Sequence, residues 1–288
     1  MVSGALLAVA LWCGFGSSVA LAWRYNSQVS LVVHYYKYQE NTPDGSFFIS
    51  NDGPMIGVNY RGQFAFANGI FVEPIDISLY GSKSISYKSK FTGTSNDDSY
   101  LVVEARATGG YSFRFSDGGM EKNHTVKLYT GLGYRYTGNF GEGKFTSTGA
   151  FTYNRINHLG YLPLGVAYYY DKDKWSVGVK AEYDIFLGGQ QLSYSQLQYF
   201  KPDGDAFASP SKTPLVNRQR AGYGAKFDLS LGYNGWTINP FFNYWKINAS
   251  DPLRLELPLC NNTGSICSGS DFTTLFEPAN TTIEVGAR

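Results

Sequence analysis

The chain has 288 residues, a net charge of +1, 43% hydrophobic but only 16% charged residues, and 33 Gly, 23 Tyr and 20 Phe. Soluble domains carry about 25% charged residues, so this surface is short of charge, while a mean hydropathy of −0.23 is too polar for a bundle of membrane helices. Near-neutrality leaves no electrostatic footprint for nucleic acid.

Residues 1–22 stand apart. Ala5–Trp12 is an apolar run, Gly14–Ser18 breaks it, and Ala20-Leu21-Ala22 forms an A-x-A site before Trp23. That pattern predicts a secretory signal peptide, although Met1–Gly4 lacks Lys or Arg. A helical anchor is the alternative, with only Arg24 to act as its stop-transfer flank. Cys13 follows Trp12, where a lipoprotein signal wants a small residue, so lipidation is not expected.

From there the chain reads as strands of period two. Val29–Glu40 puts Val29, Leu31, Val33 and Tyr35 on one face; Asn41–Gly53 reads as a loop. In Pro54–Ala67, Ile56, Val58, Tyr60, Phe64 and Phe66 alternate with Asn59, Arg61, Gln63 and Ala65. Asn68-Gly69 marks a tight turn into Ile70–Tyr80, where Pro74 and a change of parity near Glu73 imply a bulge. Gly81–Asp98 reads as a polar loop. Ser99–Phe115 alternates cleanly, Ser116–Lys122 turns, and Asn123–Thr137 sets Leu128, Leu132 and Tyr134 against Lys127, Gly131, Gly133 and Arg135.

Gly138–Asn157 is a long connection. His158–Tyr170 and Lys174–Leu187 flank a turn at Asp171–Asp173, and Gly188–Asn217, with three prolines, reads as a long loop. Arg218–Ile247 is two strands folded back at Asn234-Gly235, the dipeptide of a type I′ hairpin. A loop holding Cys260 and Cys267 follows, then Thr281–Arg288 with Ile283, Val285 and Ala287 facing out. In an exported chain that cysteine spacing suggests a local disulfide. Metal binding is disfavoured because no His lies nearby, and no cofactor is expected.

These strands number ten, joined by short and long connections in strict alternation within one domain, 23–288. With the signal peptide and aromatic strand ends, the pattern from about Val29 to Arg288 resembles a bacterial outer-membrane β-barrel protein. The resemblance implies an all-β, single antiparallel up-and-down transmembrane barrel in outer-membrane lipid. Short turns would face the periplasm, and long extracellular loops would meet host or surface ligands. Such proteins usually end on an aromatic residue. This chain runs to Gly286-Ala287-Arg288, so residues beyond Arg288 are expected.

The inward faces carry Arg61, Asp76, Glu104, Arg106, Lys127, Arg135, Lys180, Glu182, Asp184, Lys226, Asp228 and Glu284. A narrow barrel can fill its interior with such pairs, whereas wide channels belong to barrels of about 16–18 strands. A filled lumen is therefore favoured over a solute pathway. For catalysis, His34, His124 and His158 lie on separate strands, and no nucleophile elbow or metalloprotease motif occurs. Omptin proteases use acidic pairs and an Asp-x-His. Asp97-Asp98 and Asp203/Asp205 sit in loops here, but neither loop holds a histidine. No catalytic residue or enzymatic activity is expected. The favoured role is surface recognition or adhesion through the loops, or a narrow porin-like channel. A secreted soluble barrel binding a small ligand inside it is the alternative, and an omptin-like protease a third reading.

Overall fold

The structure is a computed structural model that describes residues 23–116, 123–204 and 206–288. The predicted signal peptide and most of the Ser116–Lys122 turn lie outside these residues. Fourteen strands follow in chain order: β1 (Trp23–Asn41), β2 (Phe47–Phe66), β3 (Ile70–Ser89), β4 (Gly93–Phe115), β5 (His124–Phe140), β6 (Arg155–Lys172), β7 (Trp175–Phe200), β8 (Ala206–Gln219), β9 (Gly222–Tyr233), β10 (Trp236–Ile238), β11 (Pro240–Ile247), β12 (Leu253–Cys260), β13 (Cys267–Leu275) and β14 (Asn280–Ala287).

Ten of them close a barrel. β1 to β7 pair in sequence, β7 continues to β9, β9 to β11, β11 to β14, and β14 returns to β1 through Val33↔Ala287 to Glu40↔Asn280. Every barrel pairing is antiparallel, and the predicted count of ten holds. The alternation explains the closure. On β1, Val29, Leu31, Val33 and Tyr35 are exposed on the outer wall, while Ser30, Val32, His34 and Tyr36 are buried. The outer face is thus an apolar band that water does not favour, and closure leaves no unpaired edge along the paired lengths.

The local signals act as read. Asn234 and Gly235 take φ of 50° and 87°, which sets Tyr233 opposite Trp236 in the hairpin. Around Pro74 the register slips on both sides, between Gly62 and Phe64 against β2 and between Glu73 and Asp76 against β4. Among the described residues, the turns at Asn68-Gly69, Asp171–Asp173 and Asn234-Gly235 lie at one end of the barrel.

The opposite end departs from expectation. Gly81–Asp98 is mostly ladder, with β3 and β4 paired as far as Ser89↔Gly93. Gly188–Asn217 is the long hairpin of β7 and β8, paired from Gly189↔Gln219 to Phe200↔Ala206. Even the cysteine loop is a hairpin of β12 and β13, tied to the tip of β7 through Leu259 and Phe200. Beyond the apolar band both faces of a strand meet water, so alternation vanishes. The backbone groups still need partners, and a ladder supplies them. Polar and small residues there disguise strands as loops.

Leu229 sits on the outer face of β9, midway between Tyr223 and Tyr233 and opposite Val179. Leu229→Arg is expected to cost about 2–4 kcal/mol if lipid meets this band. Thr213→Arg, on the exposed face of β8, should cost little. Urea titration of protein refolded into lipid vesicles compares the two, and equal costs would place the band outside the membrane.

Candidate functional site

The interior is built from charges that face one another across the wall and across the barrel. On β7 and β9, Lys180 lies opposite Asp228 and Glu182 opposite Lys226; their ion pairs measure 3.7 and 3.4 Å. Lys226 also reaches Glu104 on β4 at 2.5 Å and Asp184 at 3.2 Å. Arg106 holds Glu182 at 2.7 Å and approaches Asp76, which takes Arg61 at 3.4 Å. Arg135 binds Glu104 at 3.2 Å and pairs with Glu284 on β14. Tyrosines complete the set. Tyr129 donates to Glu182 at 2.6 Å, Tyr161 to Glu104, and Tyr80 to Glu284 at 3.2 Å.

Eleven of the twelve charges that the strand parity turned inward meet in this network. Lys127 does not. It donates to Gln63 at 3.2 Å and lies over the rings of Phe71 and Tyr169. Arg288, which pairs with Asp228, also belongs to the network, although the strand reading does not include it. Its parity with Glu284 and Gly286 would have revealed it. Gly133 is needed for a steric reason. A Cβ there would stand 2.1 Å from the Tyr161 ring, so the missing side chain lets Tyr161 lie flat and reach Glu104.

Above the charges the barrel is plugged by Tyr36, Met55, Tyr80, Ile85, Tyr100 and Val102 on one side and Leu159, Tyr161, Phe186, Trp245 and Ile247 on the other. Two cavities within the barrel, one beside Arg61 and Asp228 and one between Tyr36 and Trp245, measure about 20 Å³ each. Each suits a single water.

At the long-hairpin end lies a second cluster. Glu40 closes β1 on its inward parity and is fully buried. Arg155 donates to it at 2.6 Å and Tyr38 at 2.9 Å. Glu277, in the connection from β13 to β14, accepts from Tyr38 at 3.4 Å and lies 3.8 Å from Arg155, and burial together with the neighbouring Glu40 pushes its carboxyl well above the usual range. Beside the cluster a cavity of about 250 Å³ opens among Phe48, Phe91, Phe151, Tyr153, Asn51, Asn139, Asp98 and Arg155. None of these was singled out from sequence except Asp98, as a solvated loop residue. It is instead buried, accepts from Ser95 at 3.2 Å, and lies 3.6 Å from Lys144.

Cys260 and Cys267 form the expected disulfide, at the tip of the β12–β13 hairpin. The histidines stay apart. His34 is buried against Tyr80 and Phe241, while His124 and His158 share hydrogen bonds with Tyr168 and Tyr134 on the outer face. No metal-ligand cluster forms among the described residues.

No protein-family model and no curated protein sequence matches the chain. Among solved structures it is similar to the outer membrane protease OmpT of Escherichia coli. The identity is 11%, the match covers 94% of this chain and 99% of that one, and the TM-score is 0.50. The shared fold is of the outer-membrane β-barrel kind. It also corrects the expectation that the chain lacks enzymatic activity, since a chain of this fold is a protease. Absent motifs do not exclude chemistry here, because a barrel assembles sites from residues far apart in sequence.

Removing Lys226 leaves Glu104, Glu182 and Asp184 facing one another without their shared cation. Lys226→Ala is expected to cost about 3–5 kcal/mol, and adding Asp184→Asn should restore part of it. Urea midpoints in lipid vesicles decide this; a loss below about 1 kcal/mol would mean that water reaches the network. Glu277 sets a pH dependence. An acid whose folded pKa is raised stabilises fully below its unfolded value, and the contribution is lost as pH rises through the folded one. The temperature of the heat-induced gel shift should therefore fall as pH climbs above the ordinary carboxylate range, and Glu277→Gln should flatten that fall.

Proposed function

We propose that the protein is an integral outer-membrane barrel that works at its extracellular face, the end bearing the long hairpins. The observation that carries this reading is the contrast in space: cavities of about 20 Å³ within the barrel against about 250 Å³ at the hairpin end. Six cations (Arg61, Arg106, Arg135, Lys180, Lys226, Arg288) answer six carboxylates (Asp76, Glu104, Glu182, Asp184, Asp228, Glu284), so no ring of one sign lines a path for an ion. A porin-like role is poorly supported by such an interior. Recognition of a surface ligand is supported by the ladders that carry aromatic and polar side chains away from the apolar band.

Planar-bilayer recording tests the reading. Wild-type protein should give no large steady conductance, and Lys180→Ala/Lys226→Ala should admit water and raise cation conductance. Steady, weakly selective wild-type current would overturn it.

A second reading, peptide hydrolysis at the same face, is favoured by the similarity to OmpT and by the Glu40–Glu277 carboxyl pair. Two carboxyl groups sharing a proton can activate water, although here Arg155 and Tyr38 cover them. Incubating the refolded protein with a mixed-sequence peptide pool, followed by mass spectrometry, tests it. Cleavage lost in a folded Glu277→Gln protein supports the pair as its centre; cleavage untouched by that change removes the pair from the mechanism.

A further inference from the structure

The cavity at the hairpin end has walls and a floor of different character. Phe48 of β2 packs on Phe91 of the β3–β4 turn with centroids 5.9 Å apart, and Phe151 packs on Tyr153 in the β5–β6 connection at 6.1 Å. Between these two aromatic pairs lie Asn51 of β2 and Asn139 of β5, 1% and 7% exposed. Both side chains border the space, and the Oδ1 of each is buried without a hydrogen-bond donor from the protein. A buried acceptor left without a donor is unfavourable and uncommon in a folded chain.

We propose that this cavity is a binding site for one neutral aromatic ring system bearing a hydrogen-bond donor on its edge, an indole or a phenol. An apolar cavity of about 150 Å³ takes a benzene ring, so about 250 Å³ accommodates a bicyclic ring with its polar edge. Aromatic walls favour offset or edge-to-face contact with such a ring. The donor would satisfy Asn51 or Asn139, which no pure hydrocarbon does, while the aromatic walls favour a ring over an aliphatic donor. Neutrality follows from the floor. Asp98 and Arg155 both border the cavity, each with its own partner, Lys144 and Glu40. A charged ligand would therefore find no free counter-charge there to offset its desolvation.

The same chemistry comes from a free small molecule or from a Trp or Tyr side chain presented by a partner chain. The inference rests on the extracellular reading only for the side from which the ligand arrives. Binding to purified protein does not depend on that side, so the two ideas fail separately.

The test is isothermal titration of the full chain refolded in lipid nanodiscs. Its probes are indole, benzofuran (the same shape without N–H) and a capped Gly-Gly-Trp-Gly-Gly peptide. Wild-type protein should bind indole about tenfold or more tighter than benzofuran. Asn51→Leu/Asn139→Leu should bring the two together. Phe151→Ala, in a connection outside the barrel wall, should weaken indole about tenfold while leaving the heat-induced gel shift intact, so the proposal stays testable even if the double variant fails to fold. Peptide binding tighter than indole supports a partner's side chain; indole binding tighter supports a free ligand. No binding of either, equal affinity of wild type for indole and benzofuran, or affinity untouched by Phe151→Ala would overturn the proposal.

Discussion

Lys226 is the charge on which the interior depends. Its ammonium stands between Glu104 on β4 and Glu182 and Asp184 on β7, at 2.5, 3.4 and 3.2 Å. An ion taken out of water needs close partners of opposite sign and hydrogen bonds for what remains. Here the partners come from both sides of the ring of strands. Two crossings are longest, each five strands around a ring of ten: Arg135 on β5 to Glu284 on β14, and Arg155 on β6 to Glu40 on β1. Such spans require a narrow barrel, and ten strands give one. The charges and the strand count therefore require each other.

A filled middle leaves open space only towards the ends. The alternation that closes the barrel spends outward positions on apolar residues and inward positions on charges or the aromatic plug. Only past the apolar band are side chains on both faces released from that duty. There the strands run on as ladders, and their residues are free to build a surface. The β12–β13 hairpin shows how such a surface is held: its own ladder, one bridge to β7 and a disulfide at the tip, with no core of its own. Packing that stabilises the barrel and surface that is free of that packing are thus divided along the strand axis.

That division explains what the sequence discloses. Lys180, Glu182, Lys226 and Asp228 are legible because period-two alternation names their face, and neighbouring strands then set them opposite one another. The disulfide is legible because both cysteines lie in one short segment. Glu40 was within reach, since Tyr36 and Tyr38 carry the inward parity to it. Its partner Glu277 was not, being 237 residues distant in a segment without periodicity. The cavity is less legible still. Its lining comes from β2, β3, the β3–β4 turn, β4, β5, the β5–β6 connection and the start of β6, and no pattern along the chain joins them.

The similarity to OmpT has to be weighed with this in mind. A barrel asks of its strands little more than apolar residues outward, paired polar residues inward and turns where the ladder reverses. Many sequences meet those terms, so 11% identity is compatible with one fold over 94% of the chain. The terms say nothing of the hairpin end, where the Glu40–Glu277 pair, Arg155 and the aromatic cavity lie. Two chains can agree throughout the wall and differ in every residue that touches a ligand. Chemistry must therefore be argued from that end alone, and there the buried acceptors of Asn51 and Asn139 are the features that the fold does not require.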